Sequence, residues 1–207
     1  MEPKKTAPPG GNQAAGGESI ETYNGIFNTT FVARPNQDIF EFTSDGQPDL
    51  LAAAIKYAKW GKPVFPCILF RDSKKPQTKH GFKDASKDSS QVEAWQPLWE
   101  KPGALIGMPT GTASGLLVLD VDRKHGIDGL ATLAELEKRN GLLPKTGVAE
   151  TPNGGLHLYF LFPETDPPIG NSAGKLGPGL DIRGQGGYVI LPPSVINGRA
   201  YRWVDYE

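Results

Sequence analysis

The sequence predicts an α+β fold built around a mostly antiparallel sheet. Apolar segments with the two-residue period of strands alternate with helix-like segments, but without the regular strand-helix-strand spacing that builds a parallel sheet. Glycine-rich turns lead directly into several of these strands. With 207 residues, 38% of them hydrophobic, the chain is long enough for one sizeable domain, or for one domain with an appendage.

Composition divides the chain into three parts. Residues 1–18 are rich in proline, glycine, alanine and glutamine, which predicts a disordered tail. Residues 19–47 form an N-terminal extension of unknown role, with apolar stretches at 26–32 and 39–42 that are compatible with two short strands. We expect residues 48–207 to form the main domain.

The first half of this domain begins with a helix. It is predicted over 48–60, with proline in its first turn and Gly61 as its terminator. A strand follows over 64–70. Asp88 can cap a helix that runs on through Trp99, and the next strand covers 104–108.

The second half begins with a loop at 109–115, which we expect to back the apolar strand at 116–122. Leucines then repeat with helical spacing over 128–140 and predict an amphipathic helix that ends at Gly141. The remaining strands are predicted at 156–162, in a hairpin over 179–194 whose returning strand is 188–191, and near 201–203.

Two aspartates, Asp120 and Asp122, stand at the end of the strand at 116–122. Since strand side chains alternate faces, both carboxylates should lie on one face, about 7 Å apart along the strand. Two like charges so close together are costly unless a cation lies between them, and carboxylate oxygens favour Mg²⁺ or Mn²⁺ over zinc. Without metal, asparagine at either position should leave the fold intact or slightly more stable. Taken alone, the pattern also fits polar residues at a strand exit.

Two further strands supply other candidate groups. His157 lies just inside the strand that follows a glycine turn, and Asp181 and Arg183 precede the glycine-rich turn of the predicted hairpin. Three carboxylates suit two metal ions that bridge a phosphate chain, while the histidine and the arginine can contact phosphate oxygens.

Lysines and glycines supply candidate phosphate and polynucleotide contacts. Lys175 lies in a glycine-rich loop before Asp181, and the glycine turns permit close approach of the backbone to a triphosphate, although glycines there also suit positive φ. The candidates are Gly154 and Gly155 in the first turn and Gly184, Gly186 and Gly187 in the second, and the last three are the ones that suit positive φ.

The net charge of −1 argues against nucleic-acid binding, but residues 71–87 carry a net +4. This basic track suits a polynucleotide substrate, and its candidate DNA contacts are Lys74, Lys75, Lys79 and Lys83.

Cys67 is the only cysteine, which excludes a disulfide framework and a cysteine-rich zinc site. No apolar run approaches the length of a membrane span, and no apolar segment follows the N-terminal lysines as in a signal peptide. We therefore expect a cytoplasmic protein that is neither secreted nor bound to a membrane.

At these candidate residues the chain resembles the bifunctional DNA primase/polymerase (prim-pol) domains of the archaeo-eukaryotic primase superfamily. Motif I of that superfamily corresponds to Asp120-x-Asp122, motif II to Gly155-x-His157, and motif III to Leu180-Asp181. Similar segments run from about Asp49 to Trp203. They include Tyr57-Ala58-x-x-Gly61-x-Pro63, Gly81-Phe82-Lys83-Asp84-Ala85-Ser86, Thr110-Gly111-x-x-Ser114-Gly115 and Gly187-Tyr188-Val189-x-x-Pro192-Pro193-Ser194. Motif II often has serine where this chain has Gly155, so a phosphate contact there would have to come from the backbone N–H.

The resemblance implies an RRM-like catalytic sheet beside a smaller α/β N-terminal lobe, with the active site in the cleft between them. It implies template-directed addition of dNTP or NTP to a 3′-hydroxyl in a DNA replication protein of the plasmid or phage kind. Asp120, Asp122 and Asp181 would hold two Mg²⁺ or Mn²⁺ ions. The implied partners are a DNA template and primer and, in the full-length protein, a C-terminal helical primase-associated region and a helicase.

Two other functions fit part of the pattern. A nucleotide-sugar glycosyltransferase also uses Asp-x-Asp with a divalent metal, but it explains neither the histidine strand nor Asp181 and Arg183. A DNA-binding module of a replication initiator could keep the fold and lose catalysis, and the complete set of carboxylates argues against that interpretation.

Overall fold

A computed structural model describes Phe27, residues 40–124 and residues 126–204 of the chain. The predicted tail at 1–18 and most of the extension at 19–47 lie outside the described residues. The described part is an α+β structure in which every pairing between strands is antiparallel, so the predicted class is confirmed. No helix among the described residues is long and apolar enough to cross a membrane.

Two sheets form the frame of the molecule. The strands of the first sheet are β1 (Phe65–Phe70), β2 (Ser73–Pro76), β3 (Ala104–Pro109) and β11 (Tyr188–Leu191). Their order across the sheet is β11-β3-β1-β2. The strands of the second sheet are β4 (Leu116–Val121), β7 (Gly147–Glu150), β8 (Leu156–Leu161), β9 (Ser172–Ala173), β10 (Leu180–Arg183) and β14 (Arg202–Val204). Their order is β14-β7-β8-β4-β10-β9. Two small hairpins pair β5 (Arg123–Lys124) with β6 (Ile127–Asp128), and β12 (Val195–Ile196) with β13 (Arg199–Ala200).

The first helix, α1 (Leu50–Lys59), begins later than predicted. The side chain of Asp49 accepts a hydrogen bond from the N–H of Ala52 and caps the helix, so Pro48 lies before the helix and not in its first turn. Gly61 has a φ of +73°, which suits the glycine that ends a helix.

The helix predicted from Asp88 to Trp99 is two short helices, α2 (Ser89–Ala94) and α3 (Gln96–Trp99). The Asp88 cap is confirmed, because its carboxylate accepts a hydrogen bond of 2.9 Å from the N–H of Ser90. The break falls just before Pro97, which has no N–H to donate and would disturb the interior of a longer helix. A 3-10 helix (Gly81–Asp84) precedes the pair.

The last helix, α4 (Gly129–Asn140), agrees with the leucine periodicity. Asp128 caps it, Leu133 is fully buried, and Gly141 follows it with a φ of +91°. Its leucines pack against one face of the second sheet together with Leu117, Leu119 and other apolar side chains of that face.

The hairpin predicted over 179–194 is wrong. β10 pairs with β4 and β9 in the second sheet, whereas β11 pairs with β3 in the first. The glycine-rich segment at 184–187 therefore crosses from one sheet to the other. Strand periodicity and an intervening glycine turn do not determine which strand each segment pairs with, and here the two segments have different partners.

The opposite face of the second sheet, which carries Val118 and Tyr159, shares a buried core with α1 and with β3 and β11 of the first sheet. Asp120 and His157 continue the same rows of side chains on β4 and β8. The candidate functional residues thus lie on the face that looks toward the first sheet.

Candidate active site

Strand register brings the candidate residues together. Asp120 on the central strand β4 lies opposite His157 on β8 and opposite Asp181 on β10. Residues paired in this way have their Cα atoms about 4.5–5.5 Å apart, so their side chains are neighbours on one face. The expectation that three strands each contribute one part of a site agrees with this arrangement.

The three aspartates form a compact group. Asp120, Asp122 and Asp181 each offer a carboxylate oxygen, and these oxygens lie within 4.8 Å of one another. Asp122 follows the end of β4, where its N–H donates to the carbonyl of Gly179 and its carbonyl accepts from the N–H of Gly129. All three residues are partly buried, and such a group of hard oxygen ligands fits Mg²⁺ or Mn²⁺.

Arg183 lies between two of these carboxylates. Its Nη2 is 3.0 Å from Oδ2 of Asp120 and 2.9 Å from Oδ2 of Asp181, and its Nε is 3.2 Å from the same oxygen of Asp120. Asp122 has its own cation, because Nζ of Lys124 is 2.8 Å from its Oδ2. Sequence reasoning assigned Arg183 to phosphate, but in this structure it neutralises the acidic group.

His157 is buried and faces Asp120. Its Nε2 is 3.4 Å from Oδ1 of Asp120, and its Nδ1 is 3.5 Å from the hydroxyl of Tyr159. The ring of Tyr201 packs 5.7 Å from the imidazole, measured between centroids. Packing on these aromatic residues fixes the position of the imidazole at the wall of the site.

The electrostatic setting of Asp120 favours its charged form. Burial by itself raises the pKa of this carboxyl, but the neighbouring His157 and Arg183 outweigh burial and hold the pKa well below its usual range. Because the folded-state pKa is lowered, the carboxylate stabilises the fold above the ordinary pKa of about 4 and loses this effect as the pH falls further.

Gly155 permits β8 to begin close to the end of β4. A Cβ atom at this position would lie 2.2 Å from the carbonyl oxygen of Val121, which belongs to the backbone and cannot turn aside. The N–H of Gly155 donates to the hydroxyl of Thr151 at 3.1 Å, and the N–H of Gly154 donates to the carbonyl of Thr151. A phosphate contact from either N–H would require one of these hydrogen bonds to break.

We expect Gly155→Ala to destabilise the protein by about 1–3 kcal/mol, because the added methyl must displace the β4 backbone. Urea unfolding of the variant and the wild type measures the difference. Gly170→Ala is the matched control, since a Cβ at Gly170 meets no atom within 4 Å and its φ is not positive. Equal stability of Gly155→Ala and the wild type would contradict this account of the glycine.

The glycine-rich segment at 184–187 is held by close packing. A Cβ at Gly184 would lie 2.3 Å from the carbonyl oxygen of Ile169, and its N–H donates to Oδ1 of Asn171 at 2.9 Å. Within the segment only Gly186 has a positive φ, of +82°. The prediction of positive φ therefore applies to Gly186, and at Gly184 and Gly187 close packing makes a side chain too large.

The basic track at 71–87 contains β2 and the 3-10 helix. Lys74 and Lys75 point to opposite faces of β2: Nζ of Lys74 lies 5.5 Å from the ring of Tyr201, and Nζ of Lys75 lies 4.8 Å from the ring of Phe70. Lys74 thus belongs to the site, while Lys75 lies on the other side of the first sheet.

A cleft of about 380 Å³ opens beside Asp120, and residues of both sheets line it. Lys74, Asp120, His157, Asn171, Arg183 and Tyr188 are among them. Although Lys74 is exposed on the edge strand, loss of water around its ammonium lowers its pKa, and the charges of Asp120 and Asp122 partly oppose this effect. Sequence reasoning missed Asn171, for which no signal was available. It placed Tyr188 in a strand and in one of the segments of the resemblance, without a role in the site. Lys175 is exposed in the loop after β9, next to Gly174, whose N–H donates to Asp181 at 3.0 Å.

Comparison with known proteins gives an independent result. Residues 54–207 match the family described as bifunctional DNA primase/polymerase, N-terminal (Prim-Pol). A comparison with curated proteins returns no match. The matched region begins inside α1 and contains both sheets, the three clustered aspartates and every residue that lines the cleft beside Asp120. By this match over most of its length, the chain belongs to the family of bifunctional DNA primase/polymerase N-terminal domains.

Proposed function

We propose that this protein extends a DNA primer by template-directed nucleotidyl transfer. The 3′-hydroxyl oxygen attacks the α-phosphate of a bound dNTP or NTP, a new O–P bond forms, and the bond to the β-phosphate breaks to release pyrophosphate. Family membership indicates primase/polymerase activity. The observation that supports the proposal most strongly is the group of three carboxylates, of which Asp120 lines a cleft together with a histidine, an arginine and a lysine. We call this cleft the catalytic cleft.

The residues present fit divalent metal ions. Asp120, Asp122 and Asp181 supply hard oxygen ligands within 4.8 Å of one another, and a lowered pKa keeps Asp120 ionised at neutral pH. We propose that they hold two Mg²⁺ or Mn²⁺ ions. When bound, these ions would supply the Lewis-acid chemistry that promotes ionisation of the hydroxyl and neutralises the leaving phosphate.

Arg183, His157 and Lys74 would position the triphosphate. Each lines the cleft, and hydrogen-bond donors there stabilise the charge that develops during phosphoryl transfer. Arg183 now donates to Asp120 and Asp181, and we propose that it turns to the phosphates once cations neutralise those carboxylates.

Lys175 is exposed near Asp181 and remains a proposed phosphate contact. The N–H groups of Gly154, Gly155 and Gly184 already have protein acceptors, which favours a positioning role for these glycines.

We further propose residues 48–207 as the catalytic domain. The second sheet, which carries motifs I to III, would be the RRM-like catalytic sheet, and the first sheet with α1 would form the smaller lobe. DNA would approach along the basic segment at 71–87, where Lys79 and Lys83 are exposed.

Primer extension by the 207-residue chain tests the proposal. We expect labelled primer on a longer template to be extended with Mg²⁺ or Mn²⁺ and dNTPs or NTPs, and not in the presence of a chelator. Nucleotide sugars serve as the control for glycosyl transfer. Template binding without any extension, under all metal and nucleotide conditions, would favour a non-catalytic DNA-binding module instead.

His157→Ala should raise the apparent KM for dNTP by roughly 10- to 100-fold, since a hydrogen bond to a charged group contributes about 1.5–3 kcal/mol. DNA affinity should change little, because the proposed partner of His157 is the triphosphate. Steady-state extension and fluorescence anisotropy with labelled DNA measure the two quantities. His80→Ala is the control, because this exposed histidine pairs with Asp84 outside the cleft. An unchanged KM for dNTP would return His157 to a structural role.

A further inference from the structure

A second cavity adjoins the catalytic cleft. It has a volume of about 660 Å³ and is lined by the 3-10 helix and the residues after it, by Pro63 and Pro109, and by Gln185 and Gly186. Gly186 also lines the catalytic cleft, so the two cavities are neighbours on either side of the glycine-rich segment. Neither the three aspartates nor His157, Arg183, Lys74 or Lys175 line this second cavity.

The charge of the second cavity is positive. Lys83 and Lys87 line it, and its lining contains no aspartate or glutamate. Neither lysine forms an ion pair with another residue in the described part of the chain. Asp84 and Asp88 are the carboxylates next to them in sequence. Asp84 accepts a hydrogen bond from the N–H of His80 and interacts with its ring, and Asp88 accepts one from the N–H of Ser90. Two cations without a protein counter-charge suit an anionic ligand.

An aromatic pair lies between the two cavities. Phe82 lines the second cavity, Tyr188 lines the catalytic cleft, and their rings stack with centroids 6.1 Å apart and planes inclined by 30°. Proline and alanine side chains add apolar wall. A planar aromatic face next to cations is the combination that binds unpaired bases and their phosphates.

Gln185, which lines the second cavity, is held in place by other groups of the protein. The side-chain oxygen of Gln185 accepts hydrogen bonds from the N–H and the hydroxyl of Thr112, at 3.0 and 3.1 Å. Gly111 approaches Gln185 so closely that a Cβ there would lie 2.7 Å from the Cα of Gln185. A side chain held in this way does not need to be ordered when a ligand binds, which lowers the entropy cost of binding.

We propose that the second cavity holds the unpaired template strand beside the catalytic cleft, with Lys83 and Lys87 on its phosphates and Phe82 against a base. This inference rests on the proposed polymerase function. The catalytic cleft, which Asp120 lines, is where we place the incoming nucleotide. The second cavity shares Gly186 with that cleft but is lined by no carboxylate that could hold metal, so it suits the next nucleotides of a strand and not a second triphosphate.

The test compares binding of labelled single-stranded DNA, by fluorescence anisotropy without metal or nucleotide, across three variants. We expect Lys83→Gln/Lys87→Gln to weaken binding on the order of tenfold at low salt. For this variant, the slope of the logarithm of the binding constant against the logarithm of the salt concentration should be shallower by about 1.4. This is the contribution of two phosphate contacts on a single strand. Phe82→Leu should weaken binding without changing the salt slope, because it removes stacking and no charge. Lys138→Gln/Arg139→Gln on α4 removes the same charge elsewhere and should change affinity little.

Measuring dNTP use separates this inference from the proposed function. The apparent KM for dNTP should stay unchanged in Lys83→Gln/Lys87→Gln at saturating template. Equal loss of DNA affinity in the α4 control would overturn the template site, and so would a raised KM for dNTP with unchanged DNA binding. If the two lysines govern DNA binding but no condition supports extension, the proposed function fails while the strand-binding site stands.

Discussion

The double variant Asp120→Asn/Asp181→Asn is expected to extend primers more slowly than the wild type, by a factor on the order of 10³ or more. Metal ions that neutralise a transferring phosphate stabilise the transition state by several kcal/mol, and each 1.4 kcal/mol corresponds to about a tenfold change in rate. The two carboxylates face each other across β4 and β10, so both ligands are lost from the same place. Initial rates under Mn²⁺ and Mg²⁺, with anisotropy to verify DNA binding, measure the effect.

Glu150→Gln is the matched control, because it removes a carboxylate from the same sheet at a site where its partner is the exposed Arg202. We expect this variant to extend primers at close to the wild-type rate. Near wild-type extension by the Asp120→Asn/Asp181→Asn variant would remove these residues from the catalytic assignment.

The effect on stability differs between the aspartates. Like-charge repulsion predicted that asparagine at either position of the Asp-x-Asp pair would be neutral or stabilising without metal. The structure reverses this expectation for Asp120, whose pKa is lowered by His157 and Arg183. We expect Asp120→Asn to cost about 1–3 kcal/mol near neutral pH and the difference from wild type to shrink as the pH falls below about 4. Asp122 pairs with the exposed Lys124, so Asp122→Asn should have a smaller effect.

Arg183→Ala is expected to lower both activity and metal-free stability. Loss of a charge-assisted phosphate contact in the transition state should cost about 2–4 kcal/mol, or a decrease in kcat/KM of roughly 30- to 1000-fold. Without metal, the substitution also leaves Asp120 and Asp181 without the guanidinium that lies between them, and the melting temperature should fall.

Added Mn²⁺ should restore much of that loss of stability, because the ion replaces the missing positive charge. Thermal unfolding of wild type and variant, with chelator and with Mn²⁺, measures this difference. Arg202→Ala is the control: its carboxylate partner Glu150 is at a surface site, so a small decrease that does not depend on metal is expected. An equal decrease for Arg183→Ala with and without Mn²⁺ would show that the arginine does not substitute for metal at the carboxylates.

Local sequence patterns predicted most of the elements. The Asp88 cap, the leucine helix closed by Gly141, and the strands that carry Asp120 and His157 all follow from interactions between residues close in sequence. The convergence of the three aspartates was also predicted, because the family resemblance assigns them to one site. Matching of residues 54–207 to the Prim-Pol family confirms that resemblance.

The tertiary structure decided which partner each segment has. β10 and β11 have similar strand patterns but join different sheets, Arg183 contacts carboxylates, and neighbouring lysines on β2 face opposite sides. The second cavity exists only because the 3-10 helix lies beside the glycine-rich segment that crosses between the sheets. Periodicity and capping depend on residues a few positions apart and can be read from the chain, whereas pairing between strands and the environment of a charge depend on packing between residues far apart in sequence.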